Sequence, residues 1–190
     1  MTQFRRTLPQ LSGDFFLTDG GIETALIFLE GQELPDFAAF HLPKTRDGEA
    51  AIRKYFRTYA QLADRFGTGL ILESATWRAS MDWGTKLGYS AGEIADANRR
   101  ATSLLEEIRG EFKENSAKIV ISGCLGPRGD GYNPGKTMTA KESETYHSSQ
   151  VRVFEDSAAD MVTATNAAGR ALYDKVAKHG GFIVYGKEPV

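Results

Sequence analysis

Short apolar runs alternate with longer amphipathic stretches along this chain, and that alternation is what most constrains its fold. Five of the runs have the length and composition of strands. They are Phe15–Thr18, Leu70–Leu72, Ile119–Ile121, Met161–Thr163 and Phe182–Tyr185. Strands that alternate strictly with helices are typical of a parallel sheet whose helices form the crossovers. The sequence therefore predicts an α/β fold of about five strand–helix units.

Helical spacing and capping signals predict the helices between these runs. Gly67 stands where a helix carboxyl end favours glycine. Ser90 with Glu93, and Thr139 with Glu142, have the spacing of capping boxes. Four helices are predicted: Glu49–Phe66, Ser90–Phe112, Thr139 to about Ser157, and Gly169–His179.

Two architectures accept this alternation: an open doubly wound sheet, and a barrel of eight parallel strands. A closed barrel typically needs about 250 residues, and this chain has 190. If the fold is barrel-like, about three strand–helix units are missing after the fifth. The expected organisation is one domain, 1–190, truncated at its carboxyl end.

Composition limits the kind of partner. The net charge of -2 gives no electrostatic reason to expect nucleic acid or an anionic membrane. No apolar window is long enough to span a bilayer, and no signal-peptide pattern opens the chain. With Cys124 as the single cysteine, no intrachain disulfide can form. A cytoplasmic protein with a small-molecule or protein partner is expected.

Ligands of parallel α/β folds bind at the carboxyl ends of the strands, so residues just after the apolar runs are the candidates. Asp19, followed by two glycines, either contacts a ligand amine or caps a turn. Glu73 is either a site carboxylate or a partner of an arginine such as Arg78. Trp77 either encloses a substrate or packs in the core. Cys124, in the expected loop after the third strand, is either reactive or a small buried residue.

Taken together, these strand-end motifs resemble the homocysteine S-methyltransferase family. Four segments carry the resemblance: Leu17–Thr24 with its Asp-Gly-Gly, Thr76–Ser80 with the pattern Thr-aromatic-x-Ala-Ser, Gly123–Pro127 with Gly-x-x-Gly-Pro, and Ala159–Val162. The resemblance covers about residues 16–164. It implies a homocysteine-binding (β/α)₈ TIM barrel, of which this chain would be the first part.

The resemblance implies a transferase of methionine biosynthesis. Its substrates would be homocysteine and a methyl donor such as S-methylmethionine, S-adenosylmethionine or betaine. The family uses zinc to present homocysteine as a thiolate nucleophile. By position, Asp19 would contact the substrate amino group, Gly20 and Gly21 would allow a close approach, and Thr76 with Trp77 would line the pocket.

The sequence departs from the family pattern in two places. The family holds zinc with three cysteines, and Cys124 occupies none of those positions, so no metal ligand is predicted in this chain. A family glutamate after the fourth strand is replaced by Thr165 and Asn166. A partial barrel also has open sheet edges, which favour self-association. Two alternatives therefore stay open: a non-catalytic fragment, and a small flavodoxin-like binding protein with a complete open sheet.

Overall fold

A single parallel sheet forms the centre of the molecule. The computed structural model describes residues 2–112, 118–130 and 138–164, together with the backbone of 184 and 185. The strands are β1 (Phe16–Thr18), β2 (Gly69–Glu73), β3 (Ile119–Leu125), β4 (Met161–Ala164) and β5 (Val184–Tyr185). They pair in the order β1-β2-β3-β4-β5, every pair parallel.

This strand order decides between the two predicted architectures. A flavodoxin-like sheet has the order 2-1-3-4-5, with the first strand inside the sheet. Here β1 lies at one end of the order and pairs with β2. The flavodoxin-like alternative was therefore wrong, and the sheet has the sequential order of a TIM-barrel wall.

The long predicted helices are confirmed, with small shifts at their ends. The helices are α1 (Ile22–Phe28), α2 (Arg46–Phe66), α3 (Met81–Lys86), α4 (Ala91–Glu111) and α5 (Ala140–Glu155), with 3₁₀ turns at Pro9–Leu11, Pro35–Phe37 and Ala39–Lys44. Both capping boxes form, at Ser90 with Glu93 and at Thr139 with Glu142. Gly67 ends α2 in the left-handed conformation, with φ of 60°. The helix expected over Gly169–His179 lies outside the described residues.

The expected loop after the third strand begins later than predicted. Gly123, Cys124 and Leu125 belong to β3, where Cys124 pairs with Thr163 and Leu125 with Ala164. A Cβ on Gly123 would lie 2.6 Å from the Phe154 ring, so the glycine lets α5 pack directly on the strand. The glycine that suggested a loop is therefore a close-packing position within a buried strand.

The hydrophobic core lies between the sheet and its helices. Its fully buried side chains include Leu70 and Leu72 of β2, Ile121 of β3, Phe56 of α2 and Phe154 of α5. These strands are apolar on both faces, as expected of parallel strands that helices cover. Among the described helices, none combines the length and the apolar character needed to cross a membrane.

Asp160 organises the amino end of the strands. Its side chain is fully buried just before β4. One carboxylate oxygen accepts from the backbone N–H groups of Gln3 and Phe4, at 2.8 and 2.9 Å. The other accepts from the Ile121 N–H at 3.0 Å and from Arg109 Nη1 at 2.6 Å. A buried carboxylate with this many donors ties the N-terminal segment, α4 and β3 together.

Arg5 fastens the same segment to the end of α5. Its guanidinium donates to the backbone carbonyls of Glu155 at 2.9 Å and Ala159 at 2.8 Å. Leu8, which is 2% exposed, packs with Val120 and Met161. The N-terminal segment therefore covers the amino ends of the central strands.

Candidate functional site

Asp19 follows β1 directly and lies at the carboxyl end of the sheet. Its Oδ1 accepts from the Glu73 N–H at 3.0 Å, and its Oδ2 accepts from the Tyr55 hydroxyl at 3.3 Å. Burial raises the pKa of this carboxyl to about 7, and the negative charge of Glu73 acts in the same direction. Asp19 is therefore a site where protonated and ionised forms coexist near neutral pH.

Two more carboxyls share this end of the sheet. Burial raises the pKa of Glu23, at the start of α1, and the charge of Glu73 adds to that shift, whereas the charge of Arg78 opposes it. Burial also raises the pKa of Glu73, while hydrogen bonding with the Thr163 and Cys124 side chains opposes the shift. Arg78 acts through its charge on Glu23, and both interpretations of Glu73 stay predictions.

Cys124 is buried beneath these carboxyls, in β3. Burial raises the pKa of its thiol well above the usual range, and the negative charges of Glu73 and Glu23 add to the shift. The thiol form that results is a poor nucleophile and a poor metal ligand. This residue matches the interpretation as a small buried side chain.

The zinc of the family does not fit the residues that the structure describes. Within the described ranges, no three His, Cys, Asp or Glu side chains are grouped so that they could hold a metal ion. Cys124 is the only cysteine of the sequence, and its thiol is held protonated by its surroundings. No step of the chemistry is therefore assigned here to a metal on these residues.

The two glycines after Asp19 differ in what surrounds them. A Cβ on Gly20 would lie 2.6 Å from the Tyr59 hydroxyl, so a side chain there would displace that tyrosine. A Cβ on Gly21 would make ordinary contacts, 3.5 Å from the Thr24 hydroxyl. Their predicted role in letting a substrate approach stays a prediction.

Thr76 is fully buried, and its hydroxyl is already bonded. It donates to the Cys124 carbonyl at 2.8 Å and lies 2.7 Å from the Ser74 hydroxyl. Ser74 Oγ in turn accepts from the Cys124 N–H at 3.0 Å. These contacts fix the segment after β2 to β3, and the predicted pocket-lining role of Thr76 stays a prediction.

Trp77 is half-buried and forms one side of a stack around Arg78. The Arg78 Cζ lies 4.5 Å from the Trp77 ring centroid and 3.7 Å from that of Trp83. Trp83 Nε1 donates to the Gly129 carbonyl at 3.2 Å. A Cβ on Gly126 would clash with the Trp77 carbonyl oxygen. The segment after β2 and the loop after β3 are therefore packed on each other with the aromatic side chains between them.

Sequence reasoning missed Glu23 and Tyr55 as members of the group of ionisable side chains at the carboxyl end of the sheet. Tyr55 lies within the predicted helix Glu49–Phe66 and was not singled out, yet its hydroxyl contacts Asp19. Glu23 follows Asp19 by four residues and begins a helix of seven residues, which is too short for a periodic signal. A carboxylate so soon after the Asp-Gly-Gly segment is the one sequence signal that could have found it.

The fold is similar to that of solved homocysteine methyltransferase structures. The metallated form of Escherichia coli MmuM aligns with a TM-score of 0.73 and 20% identity, over 93% of this chain and 64% of that one. The oxidised form aligns with a TM-score of 0.76 and 17% identity, over 96% and 65%. The chain thus spans less than two thirds of the length of either structure. At this identity the likeness establishes the fold, a partial TIM barrel.

Sequence comparison extends the result from fold to family. No curated protein matches the chain in a sequence search. The homocysteine S-methyltransferase family profile matches residues 16–167, which span β1 to β4 and the carboxyl ends of those strands. The chain therefore belongs to the homocysteine S-methyltransferase family.

Proposed function

We propose that this chain carries the amino-acid-binding part of a homocysteine S-methyltransferase site, with Asp19 as the residue that contacts the substrate ammonium. The observation that carries the proposal is the Asp19 carboxyl, which follows β1 with a pKa raised to about 7 by burial. Gly20 and Gly21 let the substrate approach, and Thr76 with Trp77 complete the wall beside it.

Charge explains why an ammonium fits this position. The Tyr55 hydroxyl and the Glu73 N–H hold the Asp19 carboxyl in place, but burial still disfavours its ionised form. A ligand ammonium beside the carboxyl favours ionisation, because an opposite charge within a few ångströms lowers a carboxyl pKa. Binding then releases the proton that the empty site retains.

The reaction proposed for the whole protein is methyl transfer to the homocysteine sulfur. Donors of the proposed class are S-methylmethionine, S-adenosylmethionine and betaine, each of which carries its methyl group on a cationic centre. Zinc, when it is bound in the family, supplies the thiolate form of homocysteine. With Cys124 as its only cysteine, one copy of this chain cannot provide a site of three cysteines. We therefore expect it to bind homocysteine without turning it over alone.

Isothermal titration of the purified chain with homocysteine under reducing conditions tests the proposal. The Asp19→Asn variant keeps the shape and removes the charge, so we expect at least about tenfold weaker binding. Asp14→Asn is the matched control, because Asp14 is exposed and pairs with Lys118 at 2.6 Å. Wild-type chain that binds no homocysteine, or an Asp19→Asn variant that binds as well as wild type, would overturn the proposal.

A methyl-transfer assay with each donor and added zinc completes the test. We expect no turnover above the rate without protein. Turnover by the chain alone would contradict the assignment of sulfur activation to groups outside it.

A second candidate, a fragment that associates through its open edge, is favoured by β1. Within the described part of the chain, β1 pairs on one side only, with β2. Phe15, which precedes it, is 70% exposed, and Phe66 at the end of α2 is 64% exposed. Unpaired edges and exposed apolar side chains favour association. Light scattering after size exclusion should then show a mass that rises with concentration, and a monomer at every concentration would reject this candidate.

A further inference from the structure

Tyr55 places a hydroxyl on the face of α2 that packs in the core. Ile52 and Phe56 on the same face are apolar and buried, and Tyr55 itself is 8% exposed. A buried hydroxyl destabilises a fold unless it forms a hydrogen bond. Here the hydroxyl donates to Asp19 Oδ2 at 3.3 Å. A phenylalanine would fill the core as well, so the hydroxyl calls for an explanation at Asp19.

Aromatic contacts fix the position of this hydroxyl. The Tyr55 ring packs edge-to-face on Phe56, with centroids 5.1 Å apart, and lies against the Tyr59 ring at the same separation. The hydroxyls of both tyrosines lie beside Gly20, the residue after Asp19. A Cβ on Gly20 would be 2.6 Å from the Tyr59 hydroxyl and 3.8 Å from that of Tyr55. Packing therefore holds the donor next to the Asp19 carboxyl.

The two hydrogen bonds to the Asp19 carboxyl differ in kind. The Glu73 N–H belongs to the backbone of β2, so it does not depend on the side chain at that position. The other donor is the Tyr55 side chain. Burial and the negative charge of Asp19 raise the pKa of Tyr55, so the phenol keeps its proton and remains a donor when Asp19 ionises. A substitution at Tyr55 can therefore alter the carboxyl without changing the strand that precedes it.

The other titratable groups at this end of the sheet are mainly acidic. They are Glu73 at the end of β2, Glu23 on α1 and the Cys124 thiol in β3. The charge of Glu73 disfavours ionisation of Asp19, as burial does. The positive charge of Arg78 acts on Glu23. The Tyr55 bond works in the opposite sense to Glu73, because a hydrogen bond donated to a carboxylate favours its ionised form.

We propose that Tyr55 is a positioning residue that sets the pH range over which the site accepts an ammonium ligand, because its hydroxyl holds Asp19 Oδ2 and favours the carboxylate. The inference rests on the proposed function, in which Asp19 contacts the ammonium. Without this donor the Asp19 carboxyl stays protonated to higher pH, and a protonated carboxyl offers the ammonium no opposite charge. Tyr55 acts through Asp19 and needs no contact with the ligand.

Carbon-13 NMR of the ligand-free chain, labelled at its aspartate carboxyls, measures the first step. The Asp19 resonance is assigned by its loss in Asp19→Asn. We expect Tyr55→Phe to raise the titration midpoint of Asp19 by about one pH unit, a tenfold change in the ionisation equilibrium. Tyr89→Phe is the matched control, because Tyr89 is also buried and its hydroxyl lies 2.7 Å from His41 Nδ1. An Asp19 midpoint that Tyr55→Phe leaves unmoved, or that Tyr89→Phe moves as far, would overturn the role of Tyr55.

Homocysteine titrations at pH 6 and pH 8.5 measure the second step. Titration of the ligand itself is common to all variants and cancels in a ratio of two affinities. Tyr55→Phe should bind about tenfold more weakly than wild type at pH 6, and less than about threefold more weakly at pH 8.5, where Asp19 is ionised in both proteins. In the Asp19→Asn background, Tyr55→Phe should have the same effect at both pH values. A loss of affinity that is equal at both pH values in the Asp19 background would reflect packing alone and would overturn the proposal.

The two measurements separate this inference from the proposed function. Homocysteine binding together with an unmoved Asp19 midpoint in Tyr55→Phe would overturn the role of Tyr55 and leave the Asp19 site standing. A wild-type chain that binds no homocysteine would overturn both proposals, even where the midpoint shifts.

Discussion

Each end of the sheet holds an aspartate, fully buried for Asp160 and half-buried for Asp19, and the surroundings of the two carboxyls differ. At the amino end, Asp160 accepts three backbone N–H groups and one guanidinium N–H. At the carboxyl end, Asp19 accepts one backbone N–H and one hydroxyl, and burial raises its pKa to about 7. Asp160, whose hydrogen-bond donors are built into the fold, stabilises the folded chain. Asp19, whose ionised form is disfavoured by burial, is suited instead to a ligand that carries a positive charge.

The largest effect should come from Asp160. Asp160→Asn removes the charge opposite Arg109, whose side chain is also buried. Breaking a buried ion pair at one partner typically costs about 3–5 kcal/mol, so the free energy of unfolding in urea should fall by that amount. Asp14→Asn, at an exposed pair, should leave the midpoint unchanged. Equal urea midpoints for Asp160→Asn and Asp14→Asn would contradict the stabilising role of the Asp160–Arg109 ion pair.

His147 on α5 gives a pH dependence that is independent of either aspartate. It is 5% exposed, and burial lowers its pKa to about 4. Between the unfolded value near 6.5 and the folded value, the unfolded chain binds a proton that the folded chain does not, so stability should fall by about 3 kcal/mol as the pH drops through that window. His147→Gln should abolish this part of the profile. Urea unfolding at several pH values measures it, and a wild-type profile as flat as that of the variant would contradict the prediction.

Asp19 should produce the opposite pH trend. Its pKa is raised on folding from 3.8 to about 7, so its contribution to stability is present below the unfolded value and is lost as the pH rises through the folded value. Asp19→Asn does not titrate and should be more stable than wild type by about 2 kcal/mol at pH 8, allowing for partial solvent screening. The two proteins should converge near pH 4. A variant that is less stable than wild type at pH 8 would show that the carboxylate is part of the fold rather than a strained ligand site.

The smallest effects should come from the two glycines. Gly20→Ala places a methyl group 2.6 Å from the Tyr59 hydroxyl, which a flexible side chain can relieve, so the loss of stability should be within about 1 kcal/mol. Gly21→Ala meets only ordinary contacts and serves as its control. Thermal unfolding compares them. A loss of stability in Gly21→Ala as large as that in Gly20→Ala would show that the backbone conformation, and not the Tyr59 side chain, makes glycine necessary in this segment.

Local signals predicted most of the fold. Capping boxes and helical spacing located α4 and α5, because the interactions that define those ends lie within a few residues. The length of β3 was underestimated because Gly123 looks like a turn residue in sequence, and only the packing of Phe154 against it explains its place in a strand.

Residues at the two ends of the sheet also differ in how far a local sequence pattern can single them out. Asp19 could be singled out as a candidate because a strand end followed by glycines is a local pattern. Asp160 was recognised only as part of a family motif, since its partners Arg109 and Gln3 lie 51 and 157 residues away. The role of Tyr55 depends on the packing of α2 against the end of β1, and a local sequence pattern cannot predict that packing.

Proton release on homocysteine binding tests the central claim most directly. Titrations at pH 7 in two buffers of different ionisation enthalpy give the number of protons exchanged. With the pKa of Asp19 at about 7 in the empty site, binding of the ammonium should release about half a proton from the wild-type chain and none from Asp19→Asn. Binding with no proton release from wild type, or with equal release from the variant, would contradict the assignment of Asp19 as the ammonium partner.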